Sequence, residues 1–328
     1  MKLSSKRYFF SLLGETYNSY VGEYFKIIRY KGIDFIYYNS IGCLKVYDSL
    51  SGLRRIILKN VYNSGFCIIE KDNYLYLLCG GQITQKIFSE HRRDKMADTY
   101  FKPVMNHIYQ HPEMVFKENK ELQIPINGVY LYRSSDGINW DRISRSPVLH
   151  RLIIGTGIKE GEINHDTMPG LIFFKGKYLY FGRLNTLRQK RELYLTSSLD
   201  LLSWSEPKRL HILNPMCNRL RYSYYHLVPF LYQNRLYGIA PYFECEDKGN
   251  YYIFSNCCHV IMSSEDGLQW SIQKKMMLQP NDRCPYKDRI SDIVVNRGSI
   301  ILYFRENLKL VGQKFYKRVL ELHMVPED

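Results

Sequence analysis

Ser264-Glu-Asp266-Gly-Leu-Gln-Trp270 is the stretch whose reading decides the fold. The same spacing, Ser-x-Asp-x-x-x-Trp, recurs at Ser134/Asp136/Trp140 and at Ser198/Asp200/Trp204, and the three copies use all three tryptophans of the chain. Their Asp residues stand 64 and 66 residues apart, a period that belongs to radial or stacked repeats. A short alternating strand precedes each copy: Val129–Tyr132, Leu193–Thr196 and Val260–Met262. Ser and Asp side chains bond to nearby backbone N–H groups, and Gly tolerates φ > 0, so each copy is predicted to turn a β-hairpin. The Trp that follows is placed to pack on that hairpin or on the next sheet. The three Asp residues are read as turn formers, not as catalytic groups.

A second repeat runs alongside the first. Apolar and aromatic strands flank five tips: Lys31-Gly32, Asp72-Asn73, Lys175-Gly176, Gln233-Asn234 and Arg297-Gly298. Gly or Asn at the tip is what a two-residue hairpin with φ > 0 demands. The tips lie 41, 103, 58 and 64 residues apart. Those at Asn73, Gly176 and Asn234 are each followed by one Trp hairpin, so a unit is a hairpin plus a hairpin. The first unit (about 22–60) and the last (about 287–326) lack the Trp. No long window shows a helical period. The expected fold is all-β, a five-bladed β-propeller of four-stranded antiparallel blades filling 1–328 as a single domain. The long interval predicts an inserted loop at about 82–122 in the second blade, either functional or disordered, with a helical piece around His91–Asp98.

Bulk properties narrow the partner. A length of 328 residues allows one large domain or two ordinary ones. The formal charge is +14, which favours an anionic partner. The basic residues are scattered without a long Lys/Arg run, so nucleic acid is not the expected one. Eight cysteines include the pair Cys257-Cys258 but no CxxC or Cys/His ligand spacing, so no metal and no cofactor is expected, and the thiols suit a reducing compartment. The apolar core of Met1–Gly14 is too short and interrupted for a signal peptide. No apolar run approaches the ~18 residues of a membrane span. A cytoplasmic protein without a membrane span is the expectation.

Blade topology sorts the remaining polar residues. In a four-stranded meander A-B-C-D the A–B and C–D turns share one end, and the B–C loops and blade links share the other. The Gly/Asn tips are A–B turns and the Trp hairpins are C–D turns, so the opposite mouth is built from residues before strand A and after strand B. Before strand A stand Asn63, then His165 and Asp166, then Tyr224, Tyr225 and His226, then Asp288, Arg289 and Asp292. After strand B stand Arg183, then Tyr242 and Glu244, then Arg305 and Glu306. The 82–122 insertion is a B–C loop and belongs to the same mouth. Carboxylates, guanidinium groups and imidazoles converging on one end of a funnel are what an active site requires.

This arrangement resembles the five-bladed propellers of carbohydrate-active enzymes, the furanosidase-like superfamily of glycoside hydrolase families 32, 43, 68 and 130. The likeness rests on Ser198-Leu-Asp200-Leu-Leu-Ser-Trp204 and on His165-Asp166-Thr-Met-Pro169 leading to Lys175-Gly-Lys-Tyr178-Leu-Tyr180, and it covers approximately 22–325. The resemblance implies acidic residues around the funnel, because one group must protonate the departing oxygen while another supplies or activates the attacker. Carried onto this chain, it makes Asp166 and Glu244 the candidate catalytic pair. Arg183, Arg305, His226, His165, Asn63, Tyr242 and Asp288 are the candidate substrate- or phosphate-binding residues.

The departures from the family pattern shape the expected activity. The first blade lacks the entry Asp, with Glu23 the nearest acid, and the second begins at Asn63-Ser64. Asp94 lies in the insertion without the Pro of the family's Arg-Asp-Pro motif. Few acids and several arginines suit a phosphate-bearing or acidic substrate. Glycoside phosphorolysis or glycosyl transfer on an anionic sugar is the expected activity, with inorganic phosphate a candidate partner. Hydrolysis on the same fold, a non-catalytic glycan-binding propeller and a basic scaffold are the alternatives.

Overall fold

The computed structural model describes residues 7–10, 21–40, 43–59, 65–81, 128–144, 147–149, 163–164, 168–185, 191–213, 221–247, 252–276, 288–296, 299–308 and 312–321. Every regular element among them is a strand. After β1 (Arg7–Phe10), the first blade is β2 (Val21–Tyr30), β3 (Ile33–Ser40), β4 (Cys43–Asp48) and β5 (Arg54–Lys59), paired in that order. The second is β6 (Phe66–Lys71), β7 (Tyr74–Gly81), β8 (Gly128–Ser134) and β9 (Asp141–Arg142). The third holds β10 (Ile163–Asn164), β11 (Gly170–Phe174), β12 (Lys177–Asn185), β13 (Arg191–Ser198) and β14 (Lys208–Arg209), with β10 and β11 both on β12.

Next come β15 (His211–Leu213), β16 (Arg221–Tyr224), β17 (Val228–Tyr232), β18 (Arg235–Asp247), β19 (Tyr252–Ser264) and β20 (Gln269–Met276). In this fourth blade β16 and β17 share β18, and β15 lies parallel on the outer edge of β20. The fifth blade is β21 (Asp288–Asn296), β22 (Ser299–Leu308) and β23 (Gly312–Glu321). Its fourth strand is β1, antiparallel to β23 with Arg7 opposite Arg318 and Phe10 opposite Phe315. The expectation of five consecutive hairpin pairs is corrected here. Among the described residues three strands follow residue 287, and β1 adds the fourth by capping the open ladder of β23.

The innermost strands β2, β6, β11, β17 and β21 each touch the next, and β21 touches β2. Five strands therefore close a ring about one axis. Both faces of each blade meet a neighbour, which is why apolar residues are not confined to one side of the alternation. Phe35, Tyr37 and Val46 of blade one pack with Phe66, Leu75 and Leu77 of blade two. Cys67, Leu78 and Leu131 meet Tyr180, Tyr194 and Leu184 of blade three. Phe181 and Leu193 meet Leu236, Val260 and Trp270 of blade four, and Val228, Phe230 and Ile239 meet Ile290, Ile300 and Leu302 of blade five. Gly170 lets blades three and four approach, since a Cβ there would lie 2.4 Å from the Leu227 carbonyl oxygen.

Both kinds of turn form as their residues dictate. Four A–B tips place two successive residues at positive φ: Lys31 and Gly32 at 48° and 79°, Asp72 and Asn73 at 51° and 60°, Lys175 and Gly176 at 49° and 78°, Gln233 and Asn234 at 48° and 60°. That is the type I′ geometry matched to strand twist. The fifth tip, 297–298, lies outside the described residues, as do the 82–122 insertion and its expected helical piece. In the C–D turns Ser134 Oγ accepts the Gly137 N–H at 2.8 Å, and Asp136 Oδ1 accepts those of Ile138 and Asn139 at 2.8 Å each. Trp140 Nε1–H then donates to the Gly137 carbonyl at 3.3 Å. Ser198/Asp200/Trp204 and Ser264/Asp266/Trp270 repeat the same set of bonds.

Candidate functional site

Two lysines show which end of the molecule carries the turns. Lys31, at the A–B tip of blade one, donates to the Ser135 carbonyl in the C–D turn of blade two at 2.8 Å. Lys175, at the tip of blade three, makes the same bond to the Glu265 carbonyl of blade four at 2.8 Å. The Tyr30 hydroxyl joins them by donating to the Asn73 and Ser135 carbonyls. Both families of turn thus lie at one end, and the strand-A entries and strand-B exits lie at the other.

At that mouth the inner strands are interrupted. The β2–β3 register shifts between Val21 and Phe25, and the β21–β22 register shifts between Ile290 and Asp292. Tyr225-His226-Leu227 separate β16 from β17. Such breaks end regular pairing and re-aim side chains, and they recur beside active sites.

Arg183 lies in β12 between Asn164 of β10 and Leu193 of β13, and its side chain is buried. Its guanidinium carbon sits 4.7 Å from the ring centroid of Tyr225. That of Arg191, which opens β13, sits 4.8 Å from the same centroid. The Arg191 N–H donates to Ser223 Oγ at 2.8 Å, and Ser223 Oγ–H donates to the Arg191 carbonyl at 3.0 Å, tying β13 to β16. His226 is enclosed, with its ring edge-on to Tyr225 at 5.9 Å. Its Nε2 lies 2.8 Å from the Ile290 carbonyl oxygen, which can only accept, so the proton is on Nε2. His226 thereby links the break in blade four to the shift in blade five. Tyr242 is buried, its ring 6.0 Å from Tyr222 and 5.6 Å from Tyr224.

The remaining candidates are placed by their strands. Glu244 stands opposite Tyr222 on one side and Ser255 on the other, immediately after the shift that follows Tyr242. Asp288 is opposite Glu306, and Arg305 is opposite Arg289 and Phe315. Asp166, His165 and Asn63 lie outside the described residues. On either side of Asp166, Asn164 pairs with Arg183, and Met168 is buried in the cluster that holds Tyr225 and Phe243. Asn63, Asp166 and Asp288 stand at one count, nine residues ahead of Asp72, Lys175 and Arg297, the first residues of their hairpin tips.

Asp292, expected among the mouth residues, is turned into the seam between blades five and one. It is fully buried, 2.5 Å from Lys26 Nζ, and accepts the Ile27 N–H at 2.7 Å. Its place beside the bulge, where pairing with β22 resumes, aims it across the ring instead of out of the mouth. Arg191 was not on the expected list. It opens strand C, which begins at the same end where strand B stops, and counting that position as well would have found it. Among the described residues no group of three His, Cys, Asp or Glu side chains could hold a metal ion, and no helix is long and apolar enough to cross a membrane.

No protein-family model matches the sequence, and no curated protein matches it. Solved structures do match over nearly the whole chain. An endo-arabinase from Bacteroides thetaiotaomicron has a TM-score of 0.55 at 9% identity, covering 95% of this chain and 96% of that one. Zg3597, a family 117 glycoside hydrolase of the marine bacterium Zobellia galactanivorans, has a TM-score of 0.55 at 13% identity, with 99% and 93% covered. CoXyl43, a family 43 β-xylosidase/α-arabinofuranosidase from a compost metagenome, has a TM-score of 0.53 at 12% identity, with 99% and 97% covered. The chain resembles the propellers of carbohydrate-active enzymes, and at these identities the likeness is one of fold.

Proposed function

We propose that this chain is a carbohydrate-active enzyme that breaks or forms a glycosidic bond at the axial mouth, with Asp166 and Glu244 as its carboxyl pair. One protonates or deprotonates the bridging oxygen while the other orients or activates the attacker. The observation that carries this reading is the approach of the Arg183 and Arg191 guanidinium groups to the Tyr225 ring, with Arg183 paired by backbone to Asn164, two residues before Asp166 in the chain. Guanidinium groups at that point favour phosphate, or a phosphate-activated sugar, as the attacker or donor. The reaction is accordingly phosphorolysis or glycosyl transfer on an anionic sugar. Hydrolysis is the second reading, favoured by solved neighbours that are themselves described as glycoside hydrolases. A cytoplasmic site of action fits the free thiols Cys43, Cys67 and Cys79.

The test is a panel of aryl glycosides with and without inorganic phosphate, and of nucleotide sugars with acceptor glycans. Phosphate-dependent release of a sugar 1-phosphate marks phosphorolysis, a new glycan marks transfer, and free sugar marks hydrolysis. Asp166→Asn and Glu244→Gln are expected to lower turnover about 10²–10⁴-fold with the melting temperature unchanged. Turnover at the wild-type rate in Asp166→Asn, or glycan binding without turnover on any substrate, overturns the proposal.

A further inference from the structure

We infer that the turn end of the propeller, opposite the mouth, docks a second copy of this chain in a two-fold dimer that sets Arg29 of each copy against Glu70 of the other. The inference is independent of the reaction assigned to the mouth.

One position, repeated in every blade, builds this surface. Arg29, Glu70, Phe173, Leu231 and Val295 each stand two residues ahead of the first residue of their hairpin tip, on the innermost strands β2, β6, β11, β17 and β21. Because those strands close a ring, the five residues circle the axis at its turn end. All five are exposed. Phe173 is 48%, Leu231 38% and Val295 39% accessible, so blades three, four and five contribute an unbroken apolar arc. Blades one and two complete the circle with opposite charges. Leu50 and Leu199, exposed in the C–D turns of blades one and three, carry the apolar surface outward on the same end. An exposed apolar patch bordered by polar groups marks a protein contact.

The order of residues around the ring selects the partner. In an isologous dimer two copies meet turn end to turn end about a two-fold perpendicular to the ring axis, and their rings then run in opposite senses. Five such two-folds set blade against blade, each passing through one blade and the seam opposite it. The two-fold through blade four sets Arg29 on Glu70 of the other copy, Phe173 on Val295, and Leu231 on Leu231. Each charge meets its opposite, and each apolar side chain meets an apolar one. Two-folds through blade one or blade two set Arg29 on Arg29 or Glu70 on Glu70. Those through blades three and five press both charges onto apolar side chains. Like charges face to face and charges desolvated without a partner disfavour all four. The hairpin tips agree: Lys31 and Asp72, first in the tips of blades one and two, carry the signs of Arg29 and Glu70 and are paired by the same two-fold. Within its own chain Arg29 has an ion pair from Nε to Asp34 Oδ1 at 3.5 Å, and at 75% exposure its charge still faces solvent.

Sedimentation equilibrium of the intact protein at micromolar concentration tests the inference, and a monomer–dimer equilibrium is expected. Arg29→Glu and Glu70→Arg each set like charges face to face, and each alone should weaken the dimer about tenfold or more. An equimolar mixture of the two variants should recover wild-type association, because one copy then carries two arginines and the other two glutamates at the facing positions. Leu231→Asp, which meets its own counterpart on the two-fold, should dissociate the dimer. A monomeric wild type, an assembly larger than a dimer, or a folded single variant that associates as the wild type does overturns the inference. A mixture that associates no better than either charge variant alone overturns it as well. Should Leu231→Asp fail to fold, the two charge variants and their mixture decide the matter.

Discussion

Leu201 stands where its two sister turns carry Gly137 and Gly267, at a φ of 71° against their 81° and 80°. An L side chain in that region costs about 1–2 kcal/mol. The side chain is fully buried in the cluster that joins blade two to blade three, with Cys67, Leu78 and Tyr180. Deleting a buried leucine costs about 2–5 kcal/mol in lost transfer and cavity terms. Packing therefore wins over backbone strain, and Leu201→Gly is expected to destabilise the protein by about 1–3 kcal/mol in urea unfolding. A variant more stable than wild type would show that the strain dominates. The same comparison explains a reach of sequence reading at this scale: a spacing reveals that position 201 must turn, not that the residue there can be held by what it touches. His226 and Tyr242 are alike in this respect. Their places at strand ends could be counted, but the turn of His226 toward the Ile290 carbonyl and of Tyr242 toward Tyr222 and Tyr224 depends on neighbours remote in the chain.

At the scale of elements, the Ser-x-Asp-x-x-x-Trp turn is legible because all of its hydrogen bonds close within seven residues. The type I′ tips are legible for the same reason. By contrast, the split of β10 from β11, the split of β16 from β17, the parallel passage of β15 onto β20 and the return of β1 to β23 are pairings between distant segments. No local pattern announces them. The turns also carry a pH dependence. Burial raises the Asp136 carboxyl, but the N–H groups of Asn139 and Ile138, the Asn139 amide and the Ser134 hydroxyl outweigh it and draw the group down to about 2. Asp200 and Asp266 are lowered against burial by the corresponding donors. A carboxyl depressed in the folded state favours folding above its unfolded pKa, about 3.9, and that contribution is lost as pH falls toward the folded value. The melting temperature should thus fall between about pH 4 and pH 2. In the triple variant Asp136→Asn/Asp200→Asn/Asp266→Asn the fall should be shallower; an identical slope would show that these turns do not couple protons to folding.

The whole molecule depends on a ring that two devices close. One is the backbone ladder of β1 on β23, and the other is Asp292, which reaches from the innermost strand of blade five to Lys26 and the Ile27 N–H of blade one while also accepting its neighbour's N–H from Ile293. The side-chain latch joins two innermost strands, and the ladder lies on the outer strand of blade five. A propeller opened at one seam exposes two blade faces at once, here those of blades one and five, so the cost of losing the latch is set by its burial. Removing one member of a buried, hydrogen-bonded ion pair typically costs about 3–5 kcal/mol. Asp292→Ala leaves both the ammonium and the Ile27 N–H without their acceptor, and a loss of that size is expected from its urea midpoint. Asp292→Asn keeps an oxygen for Ile27 and leaves Lys26, 23% exposed, able to turn to water, so its loss should be smaller. Hydrogen exchange then locates the damage: amides of β2 and β21 should gain exchange in Asp292→Ala before those of β11 and β12, because local opening begins where contacts are removed. Exchange that rises equally in every blade would mean that the ring has no seam at this point and that closure rests on the rim strand alone.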